Sequence, residues 1–432
     1  ARINALGNIN LKNDSISLYK IPTNNSGIMG IVLSPDDNSI WFGEIIGNKI
    51  GSFDISSKRI VEYPTGDFTG PTLLTFDSKG QLWVTMSYAN SILKVQPWLL
   101  VPESRAGGMT EIKLDKPDTF APFGIAIIND RNNVSKMFAS DHGSSRVLVS
   151  DVSSELKNYT SYWTSPSQSY PASLPSQIVS DKFGNVYFPE HGGNKISKIS
   201  NTGLMSEFDI PTGPLATVVY IAVSPDASKV WFTEWAANRL AYLDAAIPIP
   251  LELKIKDPTP LTLKANQTHP IDIQVSKLNN TANPLLFLNG IELSLIGMTD
   301  SGLQGLTYVS KPQRFNMTEA PNLNGTIDLT VDAKDATAGK YTVMPRISTP
   351  EKDNLTISLL EPHTVMLDVP AHKAQLSNFT TSANNENTNT PFILLRDIAR
   401  YAAIGVAVTL IGYLVYRKIN QRKLKRDTQQ AK

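Results

Sequence analysis

The sequence contains no cysteine in 432 residues. This absence excludes disulfides, thiolate metal ligands and cysteine nucleophiles, and it leaves the redox compartment open. Net charge is nearly absent as well, because 40 Lys and Arg balance 39 Asp and Glu to give a formal charge of +1. No overall basic field therefore directs the chain to nucleic acid. No P-loop, dinucleotide fingerprint, HExxH motif or Ser-His-Asp order occurs, so no nucleotide cofactor is predicted.

What the sequence does contain is a segment that recurs five times in the first 245 residues. Its general form is an aromatic or apolar run, an acidic residue, Asn with Lys or Arg, and a second apolar run. The copies begin at Trp41, Trp83, Phe138, Tyr187 and Trp231, 42 to 55 residues apart. Such a repeat of short strands is typical of a β-propeller, in which four-stranded blades pack around one axis.

We therefore predict a β-propeller over residues 1–249, with five full blades and a partial blade before them. The first residues read as the end of a third strand, so we expect further blades upstream of Ala1. After about Pro250 the repeat stops, and runs that alternate apolar and polar residues predict an immunoglobulin-like β-sandwich over 250–371. We interpret this sandwich as a stalk. The fold class predicted is all-β, with one C-terminal transmembrane helix.

The C-terminal 60 residues indicate a membrane anchor. Residues 372–395 are polar and rich in Asn, Thr and Ser, which predicts a flexible tether. The segment 396–418 predicts a single transmembrane helix, because the 19 residues Ile398 to Tyr416 are apolar except for Arg400 and would span about 28 Å. Residues 419–432 are basic, so we expect this tail to be cytoplasmic and the rest extracellular. A buried helix of a soluble domain is the alternative. Ten Asn-x-Ser/Thr sequons, all before the tail, agree with an extracellular glycoprotein.

Two neighbouring columns of the repeat contain the candidate functional residues. The first column reads Glu44, Met86, Asp141, Glu190 and Glu234, and the second reads Ile45, Ser87, His142, His191 and Trp235. Both columns follow the second strand of a blade, so we expect them to gather on one rim of the propeller. Carboxylates and imidazoles there could bind Mg²⁺ or Ca²⁺, or a polar or cationic ligand.

The predicted ligand-binding residues of this rim are Glu44, Asp141, His142, Glu190, His191, Glu234 and Trp235. The predicted metal ligands are Asp141, Glu190 and His191. A structural interpretation stays open beside this one, in which each acid accepts backbone hydrogen bonds or pairs with a basic residue a few positions later. The basic candidates are Lys49, Arg146, Lys195 and Arg239.

The repeat WF-x-E-x3-N-K/R-I, followed by an outer strand of the form E-Y/F-x-I-P, resembles the streptogramin (virginiamycin B) lyase family of seven-bladed propellers. The resemblance covers residues 1–245, and TEWAANRL from Thr233 carries it best. It implies a magnesium-dependent lyase that opens the ester of a cyclic depsipeptide antibiotic by elimination. It also implies a catalytic His directly after the proline that begins an inner strand. The matching positions here are Met29, Thr72, Phe123, Ser176 and Val219.

Two functions follow as hypotheses. The first is a membrane-anchored cell-surface propeller that binds an extracellular peptide, glycan or protein. The second is a carbon–oxygen lyase of the streptogramin-lyase type. General-base catalysis needs a group that titrates near the working pH, and none of the five matching positions provides one. This absence favours the binding module, and no catalytic residue is assigned.

Overall fold

The computed structural model describes most of the chain up to residue 369. The described residues are 4–102, 104, 107–114, 121–129, 134–165, 172–213, 216–247, 249, 251–278, 289–296, 305–318, 321–332, 336, 338–351 and 356–369. All of them belong to one compact unit, Ala1–His372. Within these ranges no helix has the length and apolar character needed to cross a membrane. The predicted tether, transmembrane segment 396–418 and basic tail lie outside the described residues.

The described elements are β-strands apart from two single-turn 3-10 helices, Pro97–Leu99 and Val152–Ser154. The predicted all-β class is therefore confirmed. A two-stranded sheet comes first, formed by β1 (Ala5–Asn10) and β2 (Ser15–Lys20). It corresponds to the partial blade of the sequence prediction.

Five blade-type sheets follow in chain order. Blade 1 contains β3 (Ile28–Leu33), β4 (Ser39–Glu44), β5 (Lys49–Asp54) and β6 (Ile60–Pro64). Blade 2 contains β7 (Pro71–Phe76), β8 (Leu82–Met86), β9 (Ser91–Val95) and β10 (Met109–Lys113). Blade 3 contains β11 (Pro122–Asn129), β12 (Ser135–Asp141), β13 (Arg146–Asp151) and β14 (Thr160–Trp163). Blade 4 contains β15 (Val179–Ser180), β16 (Val186–Glu190), β17 (Lys195–Ile199) and β18 (Met205–Asp209). Blade 5 contains β19 (Val218–Val223), β20 (Lys229–Glu234) and β21 (Arg239–Asp244).

The Asn of the repeat has a conformational role. It occupies the turn between the second and third strands, where Asn48, Asn90, Asn194 and Asn238 adopt φ values of 50 to 56°. This left-handed region is one that Asn tolerates better than most residues. In blade 1 the side-chain oxygen of Asn48, Oδ1, also accepts hydrogen bonds from the backbone N–H groups of Thr69 (2.9 Å) and Gly70 (3.1 Å). The turn thereby fixes the start of the next blade.

The two end blades expose residues whose counterparts are buried elsewhere. The third strand has an apolar residue directly after its first position, and this residue is 0 to 1% exposed in blades 1 to 4 but 67% exposed at Leu240 of blade 5. The inner strand behaves the same way at the other end, where Ile31 of blade 1 is 64% exposed and its counterparts are 4 to 8% exposed. Blade 5 has no following blade or fourth strand in the described part of the chain, and no complete blade precedes blade 1 there. The blades thus bury their faces against each other, as the repeat requires.

The remaining strands form two sheets around a second core. Their bounds are β22 (Leu251–Ile255), β23 (Leu261–Lys264), β24 (Thr268–Lys277), β25 (Asn289–Ile296), β26 (Leu306–Lys311), β27 (Arg314–Asn316), β28 (Asn322–Val331), β29 (Gly339–Ser348), β30 (Ile357–Leu360) and β31 (His363–Asp368). One sheet has the order β22-β24-β28-β26. In the other, β29 pairs with β25 on one side and with β30 and β31 on the other. Buried residues of both sheets belong to one hydrophobic cluster.

Strand β30 joins the two regions. It pairs antiparallel with β18, the outer strand of blade 4, so that a ten-stranded sheet runs from blade 4 into the C-terminal strands. The indole N–H of Trp163 in blade 3 also donates a hydrogen bond to the Thr342 carbonyl oxygen at 2.8 Å. The sequence predicts the two regions as separate modules, whereas in the structure β30 covers the outer edge of β18, which would otherwise be unpaired.

Candidate functional site

The four carboxylates of the first repeat column are buried within the blades. Glu44, Asp141, Glu190 and Glu234 end the second strands and are at most 3% exposed. Each lies directly opposite the first residue of the third strand, which is Lys49, Arg146, Lys195 and Arg239 respectively. The same register therefore brings an acid and a base together in four blades. This arrangement fits the structural interpretation of the column.

Blade 3 contains a buried ion pair. Asp141 Oδ2 lies 3.1 Å from Arg146 Nε, and both side chains are almost completely excluded from solvent. The Arg146 guanidinium also lies 5.0 Å from the ring centroid of Trp163, within the range of a cation–π contact. Removing one partner of such a pair would leave an uncompensated charge in the interior. Asp141 is thus an internal partner of Arg146.

Blade 1 contains a cluster of two carboxyl groups and one ammonium. Lys49 Nζ donates hydrogen bonds to Glu62 Oε2 at 2.8 Å and to Thr23 Oγ1 at 2.7 Å. Glu62 also accepts from the backbone N–H of Thr23 at 2.8 Å. Neither carboxyl oxygen of Glu44 has a hydrogen-bond partner among the described residues. Burial and the negative charge of Glu62 raise the pKa of Glu44 to about 8, although the positive charge of Lys49 opposes this shift.

Blade 4 repeats this cluster with Glu190, Lys195 and Glu207. Ser197 Oγ donates to Glu190 Oε1 at 2.5 Å, and Glu207 Oε1 accepts from the backbone N–H of Ser165 at 2.8 Å. Lys195 Nζ donates to the carbonyl oxygens of Ser165 and Gly193. Burial and the nearby Glu207 charge raise the pKa of Glu190 well above its ordinary value.

The outer-strand acids Glu62 and Glu207 were not among the predicted site residues. The signal for them was present in the sequence, since both precede an aromatic residue in the fourth strand: Glu207 begins the E-Y/F-x-I-P motif as EFDIP, and Glu62 begins the shorter form EYP. Both lie opposite the third-strand residue two positions after the Lys, namely Gly51 in blade 1 and Ser197 in blade 4. Blade 2 has Glu111 at the same position, and it accepts a hydrogen bond from Ser91 Oγ at 2.9 Å.

Two residues of the second repeat column connect their blade to the next one. Ser87 Oγ donates to the carbonyl oxygen of Pro122 at 2.6 Å. His142 Nδ1 lies 3.0 Å from the carbonyl oxygen of Pro175. Because a carbonyl oxygen only accepts, this contact requires the proton on Nδ1 and leaves Nε2 with the lone pair in the neutral ring.

Both histidines are neutral at pH 7. Burial, aided by the neighbouring His191 and opposed by the bond to Pro175, lowers the pKa of His142 to about 4. Burial also lowers the pKa of His191. The His142 ring stacks on Phe123 at a centroid distance of 5.4 Å and lies 6.2 Å from His191. Trp235, the corresponding residue of blade 5, is 68% exposed. We call Phe123, His142, His191 and Trp235 the aromatic rim.

The five positions that match the family's catalytic His lie at or beside the start of the inner strands. In blades 1, 2, 3 and 5 a register shift occurs there, as in a β-bulge. Thr72 Oγ1 contacts the Gly70 carbonyl oxygen at 2.9 Å, and Ser176 Oγ donates to the Val219 carbonyl oxygen at 3.0 Å. The two hydroxyls at these positions therefore form hydrogen bonds with backbone carbonyl oxygens. The other three positions are occupied by Met29, Phe123 and Val219.

Among the described residues, no three or more His, Asp or Glu side chains are grouped so that they could hold a metal ion. Asp141 is engaged with Arg146, and Glu190 with Ser197. The Mg²⁺ or Ca²⁺ site with ligands Asp141, Glu190 and His191 stays a prediction.

The chain was compared with known proteins. No protein-family model matches it, and no curated protein does. It is similar to the solved structure of a catalytically inactive variant of virginiamycin B lyase from Staphylococcus aureus with quinupristin, at 23% identity over 56% of this chain and 74% of that chain, with a TM-score of 0.46. It is similar to a streptogramin B lyase at 19% identity over 80% and 96% of the two chains, with a TM-score of 0.42. It is also similar to a chain of the nidogen/laminin complex at 14% identity over 57% and 88%, with a TM-score of 0.43. The resemblance predicted from the repeat is thus confirmed by the two lyase structures, at 19 to 23% identity and with TM-scores below 0.5.

Proposed function

We propose that the propeller is a binding module that recognises a ligand on its aromatic rim. One observation carries this proposal: the His142 ring stacks on Phe123 and lies 6.2 Å from His191, while the carboxylates beside the two histidines are buried inside the blades. Burial also lowers the pKa of both histidines, which favours their neutral form. The rim therefore offers aromatic faces and neutral hydrogen-bonding groups, and the buried carboxylates of the first repeat column do not contribute to its surface. Such a surface suits an uncharged ligand with apolar or aromatic groups, for example a peptide.

The proposal includes an extracellular location on a membrane anchor. The apolar segment 396–418 and the basic tail support it from the sequence. It also includes an immunoglobulin-like sandwich for residues 250–371, supported by two sheets that share one core. Because β30 pairs with β18, this sandwich would hold blade 4 in a fixed position rather than act as a loose spacer.

Rim binding can be tested with peptides selected from a random cyclic-peptide display library on the full chain. We expect Trp235→Ala and His191→Ala to weaken binding of the selected peptides at least about tenfold, or about 1.4 kcal/mol. Trp98→Ala is the control, since Trp98 is also exposed, at 60%, but lies on a 3-10 turn after the third strand of blade 2. Selected peptides that bind both rim variants as tightly as the wild type would contradict the proposal.

A turnover assay distinguishes the lyase hypothesis from the binding module. Its substrate is quinupristin, the compound named with the S. aureus lyase structure. Elimination opens the ring without adding water, so the product has the substrate's mass and must be followed by chromatography. With MgCl2 present, we expect no opened product above a protein-free blank. Ring opening in proportion to protein concentration would instead establish the lyase.

A further inference from the structure

A polar cleft between blades 3 and 4 lies at the end of the strands opposite to the aromatic rim. Lys136 at the start of β12 and Asp151 at the end of β13 border the cleft. The opposite end of β12 is Asp141, which lies next to the aromatic rim residue His142. The turns 182–184 and 200–203 of blade 4 form the facing wall. Lys340 of β29 closes one side, and the cavity volume is about 580 Å³. The cleft is thus a junction of two blades and the C-terminal strands, where ligand sites often occur.

The charge of the cleft is positive. Lys136, Lys182 and Lys340 come from three different elements, and among the described residues Asp151 is the one acid that lines the cleft. Lys136 Nζ pairs with Asp151 Oδ1 at 2.6 Å. Lys182 and Lys340 form no ion pair with any described residue; Lys340 Nζ lies 3.5 Å from the Tyr159 carbonyl oxygen, and Lys182 Nζ lies 5.4 Å from the Phe183 ring centroid. Within the described part of the chain, two positive charges of the cleft are therefore not paired with an acid.

The walls of the cleft carry hydroxyl and amide groups and are held in place. Asn201 Nδ2 donates to the Phe183 carbonyl oxygen at 2.9 Å, and its backbone N–H donates to Asn185 Oδ1 at 3.1 Å. These bonds tie the two turns of blade 4 together. Tyr162 Oη on the floor donates to the Gly203 carbonyl oxygen at 3.1 Å. A rigid wall reduces the entropy lost when a ligand is ordered.

The floor of the cleft is apolar. Phe138, Val149 and Tyr162 belong to the core cluster between blades 3 and 4 and form its base. Amides and hydroxyls above an apolar floor match a sugar ring, which has polar edges and C–H faces. The volume lies within the range of small-ligand sites and exceeds what a single inorganic anion needs.

From these features we propose that the cleft binds an acidic oligosaccharide, a short glycan that carries carboxylate groups. Lys182 and Lys340 contact its carboxylates, and the side chains of the two turns bind its hydroxyls. This site is separate from the aromatic rim, so it does not depend on the proposed function of the rim.

The test is calorimetric titration of the full chain with trigalacturonate, using protein from a bacterial host that adds no N-linked sugar. This host is needed because Asn158, which starts the sequon Asn-Tyr-Thr, borders the cleft. We expect binding that weakens as salt increases, and no binding of the neutral trisaccharide maltotriose. The double variant Lys182→Gln and Lys340→Gln should bind at least about tenfold more weakly, or about 1.4 kcal/mol.

The matched control is Lys12→Gln with Lys113→Gln, which removes two charges from exposed positions outside the cleft and should bind like the wild type. Thermal unfolding of both double variants checks that the fold is kept. Three results would overturn the proposal: no heat of binding with trigalacturonate, equal affinity in the cleft variant and the wild type, or inorganic sulfate binding as tightly as trigalacturonate.

Discussion

The last residue of the second strand is an acid in four blades, but its surroundings differ from blade to blade. Its carboxylate meets an arginine in blade 3 and a lysine with a second carboxyl group in blades 1 and 4. A buried carboxylate with too little compensation gains a proton, whereas one with a guanidinium partner keeps its charge. In blades 1, 3 and 4 the neighbouring residues therefore determine whether this position belongs to an ion pair or to a cluster that binds a proton.

Glu44 predicts a pH dependence of stability. Its pKa rises from 4.5 in the unfolded chain to about 8 in the fold, so the folded protein binds this proton more tightly. The resulting stabilisation is fully present below about pH 4.5 and is lost as the pH rises to about 8. In Glu44→Gln this loss is removed. We expect the melting temperature of the variant, relative to that of the wild type, to be higher at pH 8.5 than at pH 5 by a few degrees.

The control for this prediction is Glu62→Gln. Although burial opposes it, hydrogen bonds from Lys49 and Thr23 lower the pKa of Glu62, so this carboxylate stabilises the fold when charged. Glu62→Gln should lower the melting temperature at both pH values. A wild type and a Glu44→Gln variant whose melting temperatures change in parallel from pH 5 to 8.5 would show that Glu44 is not protonated in the fold.

The ion pair of blade 3 predicts a large effect of a small change. Asp141→Asn removes the carboxylate from a buried arginine, and we expect it to reduce the free energy of unfolding by about 3–5 kcal/mol. The matched variant is Asp151→Asn, whose carboxylate pairs with Lys136 at the surface and should contribute less than about 1 kcal/mol. Calorimetric unfolding compares the two variants, and similar losses in both would contradict the assignment of Asp141 as a buried structural partner.

At the level of elements, the sequence predicts most of the blade strands, because turn residues and apolar runs recur at the same positions. The first copy of the repeat, which begins at Trp41, falls on the second and third strands of blade 1, Ser39–Glu44 and Lys49–Asp54. What the sequence did not predict depends on contacts between distant residues. The pairing of β18 with β30 joins residues about 150 positions apart, and no local pattern specifies it.

The exposed ends of the blade series give a matched pair of substitutions. Ile50 and Leu240 occupy the same position of the third strand, but Ile50 is fully buried and Leu240 is 67% exposed. Ile50→Asp places a charge in the core of blade 1 and should lower the free energy of unfolding by more than about 4 kcal/mol or prevent folding. Leu240→Asp should change it by less than about 1 kcal/mol. If the two variants lose stability equally on thermal unfolding, Leu240 is covered in the protein.

For the whole molecule, the repeat predicts which side chains occur at equivalent places but not which way they face. Glu44, Asp141, Glu190 and Glu234 were expected on one rim, yet their side chains are buried. Burial depends on the pairing of Glu44 with Lys49 and its equivalents, and on the packing of the next blade against them. His142 and His191 do come together, because their blades are adjacent. The consequence is a propeller rim without an exposed carboxylate from this column.

The pH dependence of rim binding tests this account most directly. Burial lowers the pKa of His142 to about 4, so this ring stays neutral from pH 8 down to pH 6. Burial also lowers the pKa of His191, so this ring gains its proton in more acidic solution than an exposed imidazole does. We predict that the affinity of a selected uncharged peptide for the full chain changes less than about twofold between pH 8 and pH 6. An affinity that falls across this interval with a midpoint near pH 6.5, and no longer does so in His191→Ala, would contradict a neutral rim.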